Sequence, residues 1–271
     1  MTFNSNLAWK EASAAIAANR DVLLALAGVF FLLPSLAFGL FFPQPEPAPG
    51  LSEQQIMALM GDYYASAMPI VVPMALVQAA GTLAMLTMLT DRSRPTVGQA
   101  IRQGFSGMVP YVLAQLLLGI ALGLGGGLLL AVASLSGIGA LIVVAVVAVL
   151  LAVAYAAIRT SLTGPIIAVE RERNPVLALR RSWQLTSGNS ARIGVFYLLV
   201  VVVFLVLMAV IMAVTGIVLA LVSGGEAARI AAAVISASLG AGLALYFVAI
   251  IAAVHRQLAG PSPDMAAGLF D

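Results

Sequence analysis

Apolar runs of twenty residues or more alternate with short polar segments along the whole chain. A helix needs about 20 apolar residues to cross a ~30 Å hydrocarbon layer. The pattern therefore predicts six spanning helices, at Val22–Phe42, Pro69–Leu89, Met108–Ser134, Ile138–Ile158, Ile193–Val222 and Ile230–Val254. The third, fifth and sixth exceed the minimum, so tilt or kinks are expected. No strand-like alternation competes, and the predicted class is an all-α membrane protein.

Shorter amphipathic stretches lie between the runs. Val97, Ile101 and Phe105 share one helical face, as do Val176, Leu179 and Trp183, with Arg180 and Arg181 pointing elsewhere. Such helices are expected to lie in the membrane interface, ring among acyl chains and guanidinium towards phosphates. Ala100-Ile101-Arg102-Gln103-Gly104-Phe105 parallels Ala178-Leu179-Arg180-Arg181-Ser182-Trp183, each after an arginine-bearing turn (Arg92 and Arg94; Arg171 and Arg173). A third copy opens the chain, with Trp9, Ala12, Ser13 and Ile16 on one face and Lys10 on another. The expected plan is three units, each an interfacial helix followed by a helical pair. Between the first two spans, Pro43–Met68 is expected as a stiff Pro-rich stretch and then a helix over Leu51–Ala65 that lies on the outer membrane surface or caps the bundle, with a mobile loop as the alternative.

Composition agrees with this reading. The 271 residues are 62% hydrophobic and 9% charged, with a mean hydropathy of +1.08, where about 25% charged is usual for a soluble protein. Charge placement then sets orientation. Six crossings put Lys10, Arg20, Arg92, Arg94, Arg102, Arg159, Arg171, Arg173, Arg180, Arg181, Arg192 and Arg256 on one side and leave Arg229 on the other. Basic loops stay cytoplasmic, so both termini are expected in the cytoplasm. The first run lacks a small-x-small cleavage site and is expected to be retained. Residues 1–260 form one polytopic domain in this reading, and 261–271 a disordered tail.

Chemistry is sparse. With no cysteine, one histidine and no acidic residue within a predicted span, neither a metal centre nor an ion-coupled pathway has its usual ligands. No phosphate-binding Gly-rich loop and no nucleophile with a neighbouring base is legible. No cofactor, catalytic residue or nucleic-acid partner is expected. Gly119, Gly123 and Gly127 repeat every four residues, as do Ser236, Gly240 and Ala244. Such stripes predict close helix packing inside the bundle, with homodimerisation as the alternative. Gln78 and Gln115 are expected to make interhelical hydrogen bonds.

The segment from Arg159 to Trp183 is denser. Arg159 is expected to snorkel to phosphate, to pair with Glu170, or to hold an anionic headgroup, and His255 to be an ordinary interfacial residue. Gly164-Pro165 should break the fourth helix and let the chain re-enter or skim the interface before the Trp183 helix. Arg159-x-Ser161, Pro165, Glu170, Pro175 and the run Ala178 to Thr186, then Gly188, resemble a family of bacterial integral membrane proteins. That family is the membrane domain of glycerophosphoryl diester phosphodiesterases, with its YciC-like relatives. The resemblance implies a six-span inner-membrane unit concerned with phospholipids or envelope homeostasis. In some relatives this domain is fused to a metal-dependent phosphodiesterase, whose His and acidic ligands are absent from these residues. The expected function is non-enzymatic binding of phospholipids, or of a membrane or cytoplasmic protein, through Arg159, Glu170, Arg180, Arg181, Trp183 and Arg102. The alternative is a transporter or channel for a neutral or lipid-like solute along the seam near Gln78, Gln115 and Gly123.

Overall fold

The computed structural model describes residues 3–45, 47–90, 95–222 and 225–259, with backbone only for 219–222. The Arg92 and Arg94 turn and the 261–271 tail lie outside the described residues. All regular structure described is helical: α1 (Ser5–Ala18), α2 (Arg20–Ala27) running through a π-turn (Gly28–Leu32) into α3 (Leu33–Phe41), α4 (Glu53–Thr90), α5 (Val97–Leu135), α6 (Gly139–Thr160), α7 (Thr163–Ala168), α8 (Pro175–Leu185), α9 (Ser190–Val222) and α10 (Glu226–Ala259). Six helical stretches are long and apolar enough to span a bilayer, and the protein is a multi-pass membrane protein.

Local sequence explains the irregularities. Pro34 cannot donate a backbone hydrogen bond and crowds the preceding turn. The widened π-turn immediately before it absorbs that strain within one continuous span. Two expectations of separate short helices are corrected. The segment Leu51–Ala65 is not a surface-lying helix, because α4 starts at Glu53 and runs through Pro69 and Pro73 to Thr90. Its 38 residues give about 57 Å at 1.5 Å per residue, far beyond a ~30 Å core. The Tyr63 hydroxyl donates to the Phe42 carbonyl at 3.0 Å, tying this extension to the end of α3. Residues 97–105 likewise form the first turns of α5 rather than a detached helix. Of the three amphipathic stretches, α1 and α8 are separate helices; after α8, Gly188 takes φ 78° in the turn that redirects the chain into α9.

Three helix starts share one register. Asn4, Thr96 and Asn174 cap α1, α5 and α8 with their side chains. Four and eight residues later each helix buries small residues: Ala8 and Ala12, Ala100 and Gly104, Ala178 and Ser182. Each of these faces docks on a different long helix. The start of α5 sits on α4, where Gly104 faces the Ala80 carbonyl and Ala84. The α8 helix sits on α6, with Ser182 against the Arg159 carbonyl. The α1 helix sits on α10, through Asn4 N donating to Gln257 Oε1 at 3.1 Å, an Arg256–Glu11 ion pair at 3.6 Å and stacked Trp9 and Tyr246. The first helix thus closes on the last. Leu23, Leu83, Leu86, Ile166, Ile167, Ile193 and Val254 form the core at this end of the bundle, while the middles of α5, α6 and α9 keep their apolar side chains exposed.

The glycine stripe is a correction too. A Cβ placed at Gly119, Gly123 or Gly127 meets no atom within 4 Å, so these residues pack against no other described helix; Gly126, one position off the stripe, faces Val149 instead. Removing bulk permits a close approach but supplies no partner.

Candidate functional site

The arginine-bearing end of the bundle is organised around the break between α6 and α7. The helix ends at Thr160, four residues before the break expected at Gly164-Pro165. Pro165 is instead the third residue of α7, where a backbone N–H has no intrahelical partner and its loss is tolerated. Residues 162–168 are fully enclosed, Gly164 lying close to Leu86 and Tyr111. Of the two expectations, re-entry or skimming the interface, the burial fits re-entry: the segment folds back into the bundle between α4, α5 and α8.

Enclosing a helix break strands its backbone polar groups. Ser182 resolves this from α8, since its hydroxyl donates to the Arg159 carbonyl at 2.9 Å and accepts from Leu162 N at 3.1 Å. The Thr186 hydroxyl reaches the same carbonyl at 3.2 Å. Ser182→Ala keeps the volume nearly unchanged but leaves a buried donor unpaired, a loss of about 1–2 kcal/mol. A lower melting temperature in detergent, restored by Ser182→Thr more than by Ser182→Val, is the expected readout.

Arg159 does not snorkel and does not pair with Glu170. Only 6% exposed, its guanidinium lies 4.5 Å from the Trp183 ring centroid and 5.8 Å from that of Tyr155. It donates to Ser190 Oγ at 3.0 Å, and Nε is left without a partner. Trp183 meets Tyr155 edge-on at 5.6 Å. A desolvated cation over an indole face is worth about 2 kcal/mol, so Arg159 and Trp183 clamp α6 to α8 and to the start of α9.

Glu170 is met by two other groups. Arg181 Nε lies 3.3 Å from Oε2, and His255 Nε2–H donates to Oε1 at 3.1 Å. Burial raises the Glu170 carboxyl, but the hydrogen bond and charge of His255 and the Arg181 guanidinium outweigh it and hold it below the usual carboxylate range. His255, expected to be an ordinary interfacial residue, is the buried member of this triad. Sequence reading missed it because 85 residues separate it from Glu170. Arg171, next to Glu170, takes a left-handed backbone conformation (φ 57°), unusual for a side chain of its size.

The remaining cations divide into held and free. Arg256 donates to the Leu89 carbonyl at 2.8 Å, and Arg173 to Ser106 Oγ at 3.0 Å. Arg102 lines a shallow polar hollow of about 300 Å³ with Gln99, Gln103 and Ser106, into which Arg173 closes through Ser106. Lys10, Arg102 and Arg180 are exposed and have no side-chain partner among the described residues. The pathway candidates do not converge: Gln78 Nε2 donates to Ser35 Oγ across helices at 3.4 Å, Gln115 neighbours Tyr111 of its own helix instead of the interhelical partner expected, and Gly240 lines a separate apolar cleft between α9 and α10. Among the described residues no group of three or more His, Asp or Glu is placed to hold a metal ion.

No curated protein and no solved structure matches the chain. One family does. Residues 137–258, which run from the start of α6 to the end of α10 and include Arg159, Glu170, Trp183 and His255, match the family described as the membrane domain of glycerophosphoryl diester phosphodiesterase, the same family that the motif around Arg159–Gly188 resembles.

Proposed function

We propose that the protein is a non-enzymatic phospholipid-binding unit of a bacterial inner membrane, with both termini cytoplasmic and its arginine-bearing end at the inner leaflet. One observation carries the reading. Lys10, Arg102 and Arg180 each stand two residues after the first buried alanine of a capped, docked helix. All three are exposed and unpaired among the described residues, while neighbouring Arg159, Arg181 and Arg256 are held by protein groups. Three copies of one unit around a pseudo-threefold axis would place a free cation at the equivalent position of each unit, at headgroup depth. Exposed Phe105 and Trp183 follow the second and third cations and suit the boundary between headgroups and chains.

Each such cation is worth about 1 kcal/mol, or about fivefold, towards an anionic leaflet. The triple variant Lys10→Gln, Arg102→Gln, Arg180→Gln, purified in mild detergent, should retain about a hundredfold less phosphatidylglycerol relative to phosphatidylcholine. Its fold should be unchanged, because none of the three side chains is used in packing. Equal retention by variant and parent would overturn the proposal.

A further inference from the structure

A second lipid contact follows from the seam between α1 and α9. A cavity of about 720 Å³ opens there, walled by Val195, Leu199, Val203 and Phe204 on one side and Phe3 and Trp9 on the other. Its polar lining lies at one end, Arg192 in the first turn of α9 and Ser5 and Asn6 in the first turn of α1, the two starts held together by the hydrogen bond from Phe3 N to Asn189 Oδ1. From Arg192 to Phe204 the α9 helix rises about 18 Å at 1.5 Å per residue, close to the thickness of a single leaflet's hydrocarbon.

We infer that this groove holds one phospholipid of the inner leaflet, an acyl chain along α9 and an anionic headgroup between Arg192 and the start of α1. The inference deepens the phospholipid reading above and rests on it for the side of the membrane. Charge complementarity selects the occupant. Arg192 has no side-chain partner among the described residues and stands at the polar end only, which matches a molecule with one charged end and an apolar remainder. The first turn of α1 adds backbone N–H groups: Asn4 caps Leu7 N, and the bond from Ala8 N to Asn4 O begins the helix, so Ser5 N and Asn6 N precede the intrahelical bonds. The groove is braced before any lipid arrives, because Phe3 N donates to Asn189 Oδ1 at 3.0 Å and the Phe3 ring packs on Phe196 at 5.6 Å. A second copy of the chain would need apolar complementarity along the whole wall and an anionic group opposite Arg192.

Native mass spectrometry of the detergent-solubilised protein tests this with added phosphatidylglycerol, phosphatidylcholine of the same chains, and glycerol phosphate. Leu199→Trp fills the groove and should remove one bound lipid of either headgroup; Val203→Trp serves if that variant does not fold. Arg192→Gln should keep that lipid but lower the preference for phosphatidylglycerol about fivefold. Glycerol phosphate, lacking chains, should not compete. Unchanged lipid number in the filled variants overturns the groove, even if the Lys10, Arg102, Arg180 variant still loses anionic lipid. The reverse result, groove effects with an unaffected triple variant, leaves the groove standing and removes the rim. A shift from dimer to monomer in the filled variants would assign the groove to a second copy and also overturn the inference.

Discussion

Gly104→Val should be the most damaging single substitution in the bundle, lowering stability by about 3 kcal/mol or more. The added Cβ alone would collide with the Ala80 carbonyl oxygen and lie 3.0 Å from Ala84 N, so the obstacle is backbone rather than a side chain that can rotate away. The two helices would have to part, and they are the pair that carries Leu83, Leu86 and Met85 in the core. Gly104→Ala should show the same effect at smaller size, while Gly123→Val, whose Cβ meets no described atom, should be nearly neutral for monomer stability. Thermal unfolding in detergent, compared across the three variants, distinguishes packing of this glycine from a general intolerance of β-branched residues in α5. A Gly104→Val protein as stable as its parent would mean that the α4–α5 approach is looser than described.

Replacing Glu170 should have the next largest effect. Its carboxylate faces both Arg181 and the enclosed His255, whose Nδ1 already lacks a partner. Glu170→Ala leaves His255 with no acceptor, a loss of about 1–3 kcal/mol. The pH dependence follows from the sign of the shift. The folded carboxyl titrates below its ordinary value, so the unfolded chain binds the proton more readily and the contribution is complete above the ordinary glutamate range. It fades as pH falls through that range towards the folded value. The stability gap between parent and Glu170→Gln should therefore be full near pH 7 and narrow in acid below about pH 4.3. A gap that widens on acidification would reverse the assignment of the charged partner.

Several of these features could be read from the chain itself. Spans and the resemblance rest on patterns local to twenty or thirty residues, and the six apolar stretches overlap the runs that predict them; that the short helices dock on long ones instead of lying free in the interface was not legible. The parallel between 100–105 and 178–183 was also legible as a string of residues, but its physical reason was not: burying Ala100 and Gly104, or Ala178 and Ser182, needs one small residue per turn. Whether such a helix stays separate was not. Residues 97–105 continue into α5 while α8 stops, and the difference lies in the turn at Gly188 and in what each helix packs against. Arg159 shows the same limit. Beside a lipid boundary an arginine is expected to snorkel, but here Trp183 and Ser190, 24 and 31 residues away in sequence, enclose it.

The sequence by itself determined that the chain crosses a membrane and which end carries the cations, because burying guanidinium groups or exposed backbone in hydrocarbon is too unfavourable for any arrangement to evade. Tertiary structure alone decided which cations are free. A charge near the interface gains by solvation, by a protein partner or by a phosphate, and these differ by amounts small enough that a serine hydroxyl or an indole face in the right place settles the choice.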